Sequence, residues 1–175
     1  MKKNLLKTTI LGLICLGGVS ISNATNYYSD PSGLGSMSNN GSFNSPWSKL
    51  SDIFAANKTF APGDTIFLRN GIHGSVTVKG NNTDFVVIMP QEGHFPLISS
   101  LTVSAARYWK LYKLLVQSEG NTTSGKPTAY LVTFNSTAKD ITLSNCTIAS
   151  NLNTTNWTRT DWRTRAKNGI QTDAQ

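Results

Sequence analysis

The densest group of side chains able to do chemistry lies in residues 151–167, which read NLNTTNWTRTDWRTRAK. An indole face packs against the apolar face of a sugar ring, and a guanidinium fork binds a carboxylate or sulfate through two parallel hydrogen bonds. The segment holds two of the chain's four tryptophans together with four basic residues. We therefore take six residues as a candidate substrate-binding site: Trp157, Arg159, Trp162, Arg163, Arg165 and Lys167.

The same pattern also fits a short amphipathic helix whose tryptophans pack against the rest of the protein and whose arginines face water. Trp157 and Trp162 are five positions apart, which fits one helical face only loosely. Both interpretations remain open from the sequence. Nucleic acid is not the expected partner, because the export signal described below removes the chain from most nucleic acid.

Outside this segment no catalytic or metal-binding motif occurs. The sequence has no Ser/His/Asp order, GxSxG elbow, HExxH motif or Gly-rich phosphate loop. His73 and His94 each follow a turn, and we expect them to be exposed or turn-stabilising rather than catalytic. Asp161 and Asp173 are the candidate calcium ligands, but calcium needs about six to eight oxygens and no acidic cluster of that kind is present. We predict no metal site and no cofactor in this chain.

The first 24 residues are typical of a bacterial export signal. A basic start with three lysines precedes an apolar stretch over residues 8–21, and the small-residue run that ends at Ala24 is a cleavage site. We expect a mature chain that begins at Thr25 and is secreted, periplasmic or exposed at the cell surface. No apolar run reaches the ~18 residues of a membrane span, so we expect no membrane insertion after cleavage.

Composition narrows the class of protein further. Only 14% of the 175 residues are charged and 38% are apolar, which disfavours a disordered chain and a coiled coil. Cys146 is the only cysteine of the mature chain, so no internal disulfide can form. We expect it to be a small buried apolar residue rather than a reactive thiol.

One short helix is predicted before the strands begin. Ser45 is a suitable N-cap and Pro46 a suitable first helical residue, so the pattern predicts a helix over residues 46–56. Its apolar face would carry four residues: Trp47, Leu50, Ile53 and Phe54.

Short β segments, rich in β-branched and aromatic residues and bounded by Gly, Asn, Asp or Pro, follow Asp64. They are residues 65–68, 75–78, 85–89, 97–103, 109–116, 130–134, 141–148 and 169–172.

An internal repeat decides how these strands are arranged. Residues 109–116 align with residues 141–148 at an offset of 32 residues, with apolar residues at matching places. In each copy strict alternation breaks at the central pair, Tyr112-Lys113 or Ser144-Asn145, and then resumes. A further strand precedes each copy, at residues 101–103 and 131–133. Each unit is therefore strand, loop, strand, bend and strand, which predicts stacked coils with a continuous apolar interior, a parallel β-helix. The residues expected to point inward are Val76, Val78, Val87, Leu101, Val103, Trp109, Leu111, Leu143, Cys146 and Ile148.

The segments NYYSDPSG, NNGSFNSPW, PGDTIFLRNGIH, VKGNNTDFVVIMPQEG and ITLSNCTI resemble the N-terminal part of secreted proteins of the pectate-lyase-like superfamily, including bacterial alginate and chondroitin lyases. The resemblance implies an all-β, right-handed parallel β-helix solenoid with a short capping helix. It implies an exported lyase that cleaves an acidic, uronate-containing polysaccharide by β-elimination, with residues 151–167 at the wall of the substrate groove. A non-catalytic β-helical surface adhesin or glycan-binding module is the alternative.

The resulting organisation has three parts. Residues 1–24 are the signal peptide, residues 25–63 an N-terminal segment with the capping helix, and residues 64–175 the first coils. Residues 169–172 resemble the first strand of a new coil without a cap after it, so we expect the chain to be the N-terminal fragment of a longer protein. In the family resembled, a Lys or Arg base comes from middle coils, often with acidic calcium ligands. The resemblance therefore implies calcium as a possible cofactor of the full-length protein. We therefore expect the catalytic residues beyond Gln175 and no lyase activity in the fragment alone.

Overall fold

The computed structural model describes residues 23–118 and 130–173. Nearly all of the predicted signal peptide thus lies outside the described residues. Within those ranges the protein is mostly strands with two short helices, and no helix there is long and apolar enough to cross a membrane. The elements are β1 (Asn26–Ser29), α1 (Leu50–Ala55), β2 (Thr65–Leu68), β3 (Gly71–Ile72), β4 (Ser75–Pro90), β5 (Pro96–Ile98), β6 (Ser100–Tyr112), β7 (Leu115–Gln117), β8 (Tyr130–Phe134), β9 (Lys139–Ser144), β10 (Thr147–Ala149), α2 (Arg159–Thr164) and β11 (Asn168–Thr172).

The strands form two sheets, in which every pair of neighbouring strands is parallel. The larger sheet has the order β1-β2-β4-β6-β8-β11, with β9 also paired to β6, and the smaller has the order β10-β7-β5-β3. The all-β class is therefore confirmed. Antiparallel pairing within the described residues is limited to one isolated bridge between Ser42 and Ser45.

Two long strands turn a corner without leaving the sheet. Strands β4 and β6 pair over both halves of their length. The first pair is Ser75 with Ser100, and the last is Ile88 with Leu111. Register shifts separate the halves, yet Gly80 still pairs with Ala106. The sequence predicted separate strands here, because the polar corner residues look like a loop although their backbones continue the ladder.

The repeat of 32 residues is confirmed as stacked pairing. Trp109 pairs with Ile141 and Leu111 with Leu143 in the larger sheet, and Val116 pairs with Ile148 in the smaller. The predicted breaks at Lys113 and Asn145 are left-handed residues, with φ of 53° and 54°. Each ends one strand and redirects the chain into the other sheet.

The core consists of apolar side chains on the inward face of these strands. Six of the residues predicted to point inward are buried: Val76, Val78, Leu101, Val103, Trp109 and Leu111. Leu143, Cys146 and Ile148 are partly buried against them. Val87 was predicted wrongly, because Val86 and Ile88 are the buried residues of that strand. Residues 85–89 are all apolar, so the sequence shows no alternation there that would indicate which positions face inward.

Helix α1 starts at Leu50, four residues after the predicted first residue Pro46. Trp47 forms a parallel bridge with Ser29 instead, since its N–H donates to the Tyr28 carbonyl at 2.9 Å and its carbonyl accepts from the Asp30 N–H at 2.8 Å. Extended backbone at Trp47 excludes a helix through the same residue. The predicted apolar face is nevertheless correct, with Trp47, Leu50, Ile53 and Phe54 all buried.

His73 caps this helix from another part of the chain. The preceding residue Lys49 makes no side-chain cap. Instead, the Leu50 N–H donates to His73 Nδ1 at 3.1 Å and the Ser51 N–H donates to the His73 carbonyl at 3.3 Å. His73 Nε2 lies 2.9 Å from the Arg69 carbonyl, which assigns the ring proton to Nε2. Burial lowers the pKa of His73, so the buried ring is neutral.

Truncation of Phe54 should destabilise the protein strongly. Phe54 is buried and its ring meets Trp109 edge to face at 5.4 Å between centroids. We expect Phe54→Ala to lower the free energy of unfolding by about 3 to 5 kcal/mol, measured by urea denaturation. Leu34→Ala is the control, because Leu34 is 73% exposed. An unchanged midpoint in Phe54→Ala would show that α1 is peripheral.

His73 should make stability depend on pH. Its pKa is lower in the folded than in the unfolded chain, so protonation below about pH 6.5 favours unfolding and stability is lost as the pH falls. We expect the urea midpoint to decrease from pH 7.5 to pH 5 in the wild type and in the His94→Gln control, and to decrease less in His73→Gln. Equal decreases in all three proteins would contradict a neutral His73 cap.

Candidate functional site

Residues 150–167 form a loop that leaves the smaller sheet after β10 and returns to the larger sheet at β11. Its two ends are held together by Ser150, whose Oγ accepts the Lys167 N–H at 2.7 Å and donates to the Lys167 carbonyl at 3.2 Å. Asn151 and Asn153 stabilise the first turns through their side-chain oxygens. The loop is therefore closed at its base, and we call it the α2 loop.

A capping box fixes the start of α2. Thr158 Oγ1 accepts the Asp161 N–H at 3.2 Å, and Asp161 Oδ2 accepts the Thr158 N–H at 2.8 Å. Asp161 Oδ1 also pairs with Arg165 Nη1 at 2.8 Å. The hydrogen bond from Arg165, followed by those from Thr158, lowers the pKa of Asp161 to about 2. Asp161 is thus a structural carboxylate that is ionised throughout the physiological range.

The two tryptophans of the loop pack on each other. Their rings meet edge to face with centroids 4.9 Å apart, and the Arg165 guanidinium lies over the Trp157 ring at 5.0 Å. Trp157 is half-buried in this arrangement, whereas Trp162 is 53% exposed. Trp162 therefore offers apolar surface to solvent from a fixed position.

The basic residues of the loop divide into two groups. Arg165 is occupied by Asp161 and Trp157, and its role is to hold the loop together. Arg159 and Arg163 are exposed, and no ion pair involves either of them among the described residues. Lys167 is half-buried at the closed base. One acidic residue faces four basic ones, so the loop surface is positive.

Beside Trp157 the loop forms a shallow depression of about 300 Å³. It is lined by Trp157, Arg165 and three asparagines, Asn151, Asn153 and Asn156. Amide groups beside an indole can exchange hydrogen bonds with sugar hydroxyls. These asparagines are not among the six predicted residues, and only the folded loop shows that they converge.

The six predicted residues thus lie on one loop but differ in their contacts and in their exposure to solvent. The helix anticipated by the alternative interpretation is present, since Arg159, Trp162 and Arg163 lie on α2. It differs from that interpretation in one respect, because no residue of α2 is buried and the tryptophans pack on each other. Of the six, Trp162, Arg159 and Arg163 are exposed to solvent.

A second polar depression lies where the larger sheet turns its corner. It measures about 580 Å³ and is lined mainly by Asn81, Asn82, Arg107, Thr137 and Lys139. Arg107 pairs there with Asp140 at 2.8 Å. This corner depression lies just after the C-terminal end of β8. The α2 loop lies just before β11, and the start of β11 pairs with the start of β8. The two features therefore flank opposite ends of β8.

The remaining candidate residues serve the fold. His73 is buried and caps α1, and His94 accepts the Asn70 N–H at its Nδ1 atom. Cys146 is half-buried and burial raises the pKa of its thiol, so it is not a reactive thiolate. Asp161 is committed to Arg165 and Thr158, and no three His, Cys, Asp or Glu side chains gather as a metal site within residues 23–118 and 130–173.

No known family model matches the sequence, and neither a curated protein nor a solved structure was found to be similar to it.

The low pKa of Asp161 can be tested directly. An NMR titration of its carboxyl carbon should give a midpoint near 2 in the wild type, and Arg165→Ala should raise it towards 3.8 because the main hydrogen bond is lost. Because the folded pKa is depressed, α2 should keep its amide protection above about pH 4 and lose it as the pH falls towards 2. Arg163→Ala is the matched control and should leave the midpoint unchanged. A wild-type midpoint near 3.8 would refute the Arg165–Asp161 bond in solution.

Proposed function

We propose that this chain binds an acidic, uronate-containing polysaccharide through the α2 loop, and that it belongs to an exported polysaccharide lyase. The observation that carries the proposal is the exposed Trp162 beside Arg159 and Arg163 on a helix held by its own capping box. Neither arginine forms an ion pair within residues 23–118 and 130–173. Such a surface combines apolar stacking with charge recognition in one small area.

Each group has a distinct task in this proposal. Trp162 stacks on the apolar face of a sugar ring, and Arg159 and Arg163 pair with uronate carboxylates. Arg165 is a positioning residue, since it holds Trp157 in place and Trp157 in turn contacts Trp162. The three asparagines of the shallow depression hydrogen-bond to sugar hydroxyls.

The path of the polymer follows the outer face of the larger sheet. Thr77, Thr102, Thr133 and Gln171 occupy paired positions on successive strands, next to inward-facing neighbours. They form a polar row that passes between the α2 loop and the corner depression. An extended chain of sugars could hydrogen-bond along this row while its carboxylates meet basic residues on either side, Arg163 and Lys139 among them.

The arrangement also supports a right-handed parallel β-helix as the fold. Corresponding strands of successive repeats pair in parallel in both sheets, and the same left-handed corner recurs at Lys113 and Asn145. Stacked repeats of this kind bury one continuous core and present one long outer face to a polymer.

Cleavage of a uronate polymer by β-elimination sets three chemical requirements. The carboxylate must be neutralised so that the adjacent C5 proton becomes acidic, a base must remove that proton, and the leaving oxygen must be protonated. The α2 loop can contribute to the first requirement through Arg159 and Arg163. In the proposed lyase, this chain holds the polymer and neutralises its carboxylates.

Binding should therefore prefer acidic polymers and weaken with salt. By calorimetry, we expect alginate, pectate or chondroitin to bind more tightly than a neutral glucan, and less tightly as ionic strength rises. Arg159→Ala with Arg163→Ala should cost about 0.4 to 2 kcal/mol in binding, since exposed charge contacts contribute ~0.2 to 1 kcal/mol each. Trp162→Ala should cost more than about 1 kcal/mol as the stacking anchor.

The matched control is Lys110→Ala, which removes an exposed positive charge from the second half of β6, past the corner and off the polar row, and should leave binding unchanged. Stability should change by less than about 0.5 kcal/mol in all these variants. Equal binding of neutral and acidic polymers would refute the site. If the full-length exported protein, which would include the coils expected beyond Gln175, binds acidic polymers but releases no unsaturated product detectable by ultraviolet absorbance, the lyase is refuted and a glycan-binding module remains.

A further inference from the structure

A buried carboxylate lies beside the first residue of the predicted mature chain. Asp64 is 1% exposed, and its two oxygens accept one backbone N–H each, from Thr25 at 2.8 Å and from Ala61 at 2.7 Å. The Thr65 N–H donates to the Thr25 carbonyl at 2.9 Å, which holds Thr25 in line with the larger sheet.

The charge of Asp64 has no opposite charge next to it. Among the described residues no Lys, Arg or His forms an ion pair with Asp64. A buried carboxylate is costly unless it is paired as well as hydrogen-bonded, and the two N–H groups are neutral donors. One of them belongs to Thr25, which cleavage after Ala24 would turn into the N-terminal residue.

We propose that Asp64 is the acceptor site for the α-ammonium group that forms when residues 1–24 are removed. Hydrolysis of the Ala24–Thr25 bond by a signal peptidase consumes one water. The Ala24 carbonyl carbon becomes a carboxylate, and the Thr25 nitrogen keeps the electron pair of the broken bond and becomes –NH₃⁺. The Thr25–Asp64 hydrogen bond then becomes an ion pair. This inference rests on the predicted export processing and is independent of polysaccharide binding by the α2 loop.

The cleavage position matters at the scale of one residue. A strand advances about 3.3 Å per residue, whereas the Thr25 nitrogen already lies 2.8 Å from Asp64 Oδ1. A chain that begins at Ala24 therefore carries the same net charge but places its ammonium beyond hydrogen-bonding distance of Asp64, unless the chain folds back. The site distinguishes the correctly processed N-terminus from a near neighbour.

The experiment is a two-by-two comparison of melting temperatures. Two chains, residues 25–175 and residues 24–175, are each prepared with Asp64 and with Asp64→Asn. Each chain is released from a cleavable leader, and its first residue is checked by intact mass. We expect the chain that begins at Ala24 to melt about 2 to 4 °C lower when Asp64 is present, the size of a single charge-assisted interaction in a domain of this length. The difference should disappear in Asp64→Asn.

A third protein avoids any substitution at the buried site. Residues 25–175 with an acetylated Thr25 nitrogen keep the N–H donor but lose the charge, and should melt like the chain that begins at Ala24. Equal melting of the free and acetylated proteins would overturn the proposal. So would a difference between the two starting points that persists in Asp64→Asn. If exported protein begins at a residue other than Thr25, the processing step itself is refuted.

Discussion

Parallel pairing in fixed register is the constraint on which this structure depends. Ile66, Ile88, Leu111 and Leu143 occupy matched positions on successive strands, so each apolar side chain lies against the next and the row excludes water. A slip of one residue would turn the apolar set outward and the polar set inward. The polar row on the outer face exists for the same reason as the core, because both are fixed by one register.

The corners keep that register from one repeat to the next. Lys113 and Asn145 adopt the left-handed region, which Asn tolerates but which carries a steric penalty for Lys. Lys113 is retained in it by its neighbours, since its N–H donates to the Ser144 carbonyl at 3.0 Å. Leu114, the residue after it, is buried, and its N–H donates to the Cys146 sulfur at 3.4 Å. Pairing and burial on both sides thus stabilise a strained turn that the local sequence does not favour.

The spacing of apolar residues predicted the strands and breaks that depend on local sequence. It failed for features that depend on contacts with residues distant in the chain. Strands β2 and β8 have the predicted bounds, and the break at Lys113 was visible because alternation stops there. The start of α1 was wrong because Ser29, distant in sequence, pairs with Trp47 and draws it into an extended conformation. His73 gave no sign in the sequence that it would cap a helix 23 residues away.

The candidate site likewise has features that the sequence predicted and features that it did not. The cluster of tryptophans and arginines in residues 151–167 was evident from composition, and the capping box is encoded locally by Thr158 and Asp161. The sequence did not separate Arg165, which is occupied by the loop's own carboxylate, from Arg159 and Arg163, which are exposed. That difference depends on three-dimensional contacts between side chains four and eight positions apart along the loop.

The closure of the α2 loop at Ser150 and Lys167 has a consequence for how such a protein can diversify. Its cap, its ion pair and its aromatic contact all lie between those two residues, so the loop brings its own stabilising contacts and relies on the sheets mainly for a fixed point of attachment. Insertions and exchanges at such a closed loop leave the packing of the strands intact. Selection can therefore replace the exposed surface of the loop while the scaffold stays the same, and a designer could graft a different loop between the same two residues.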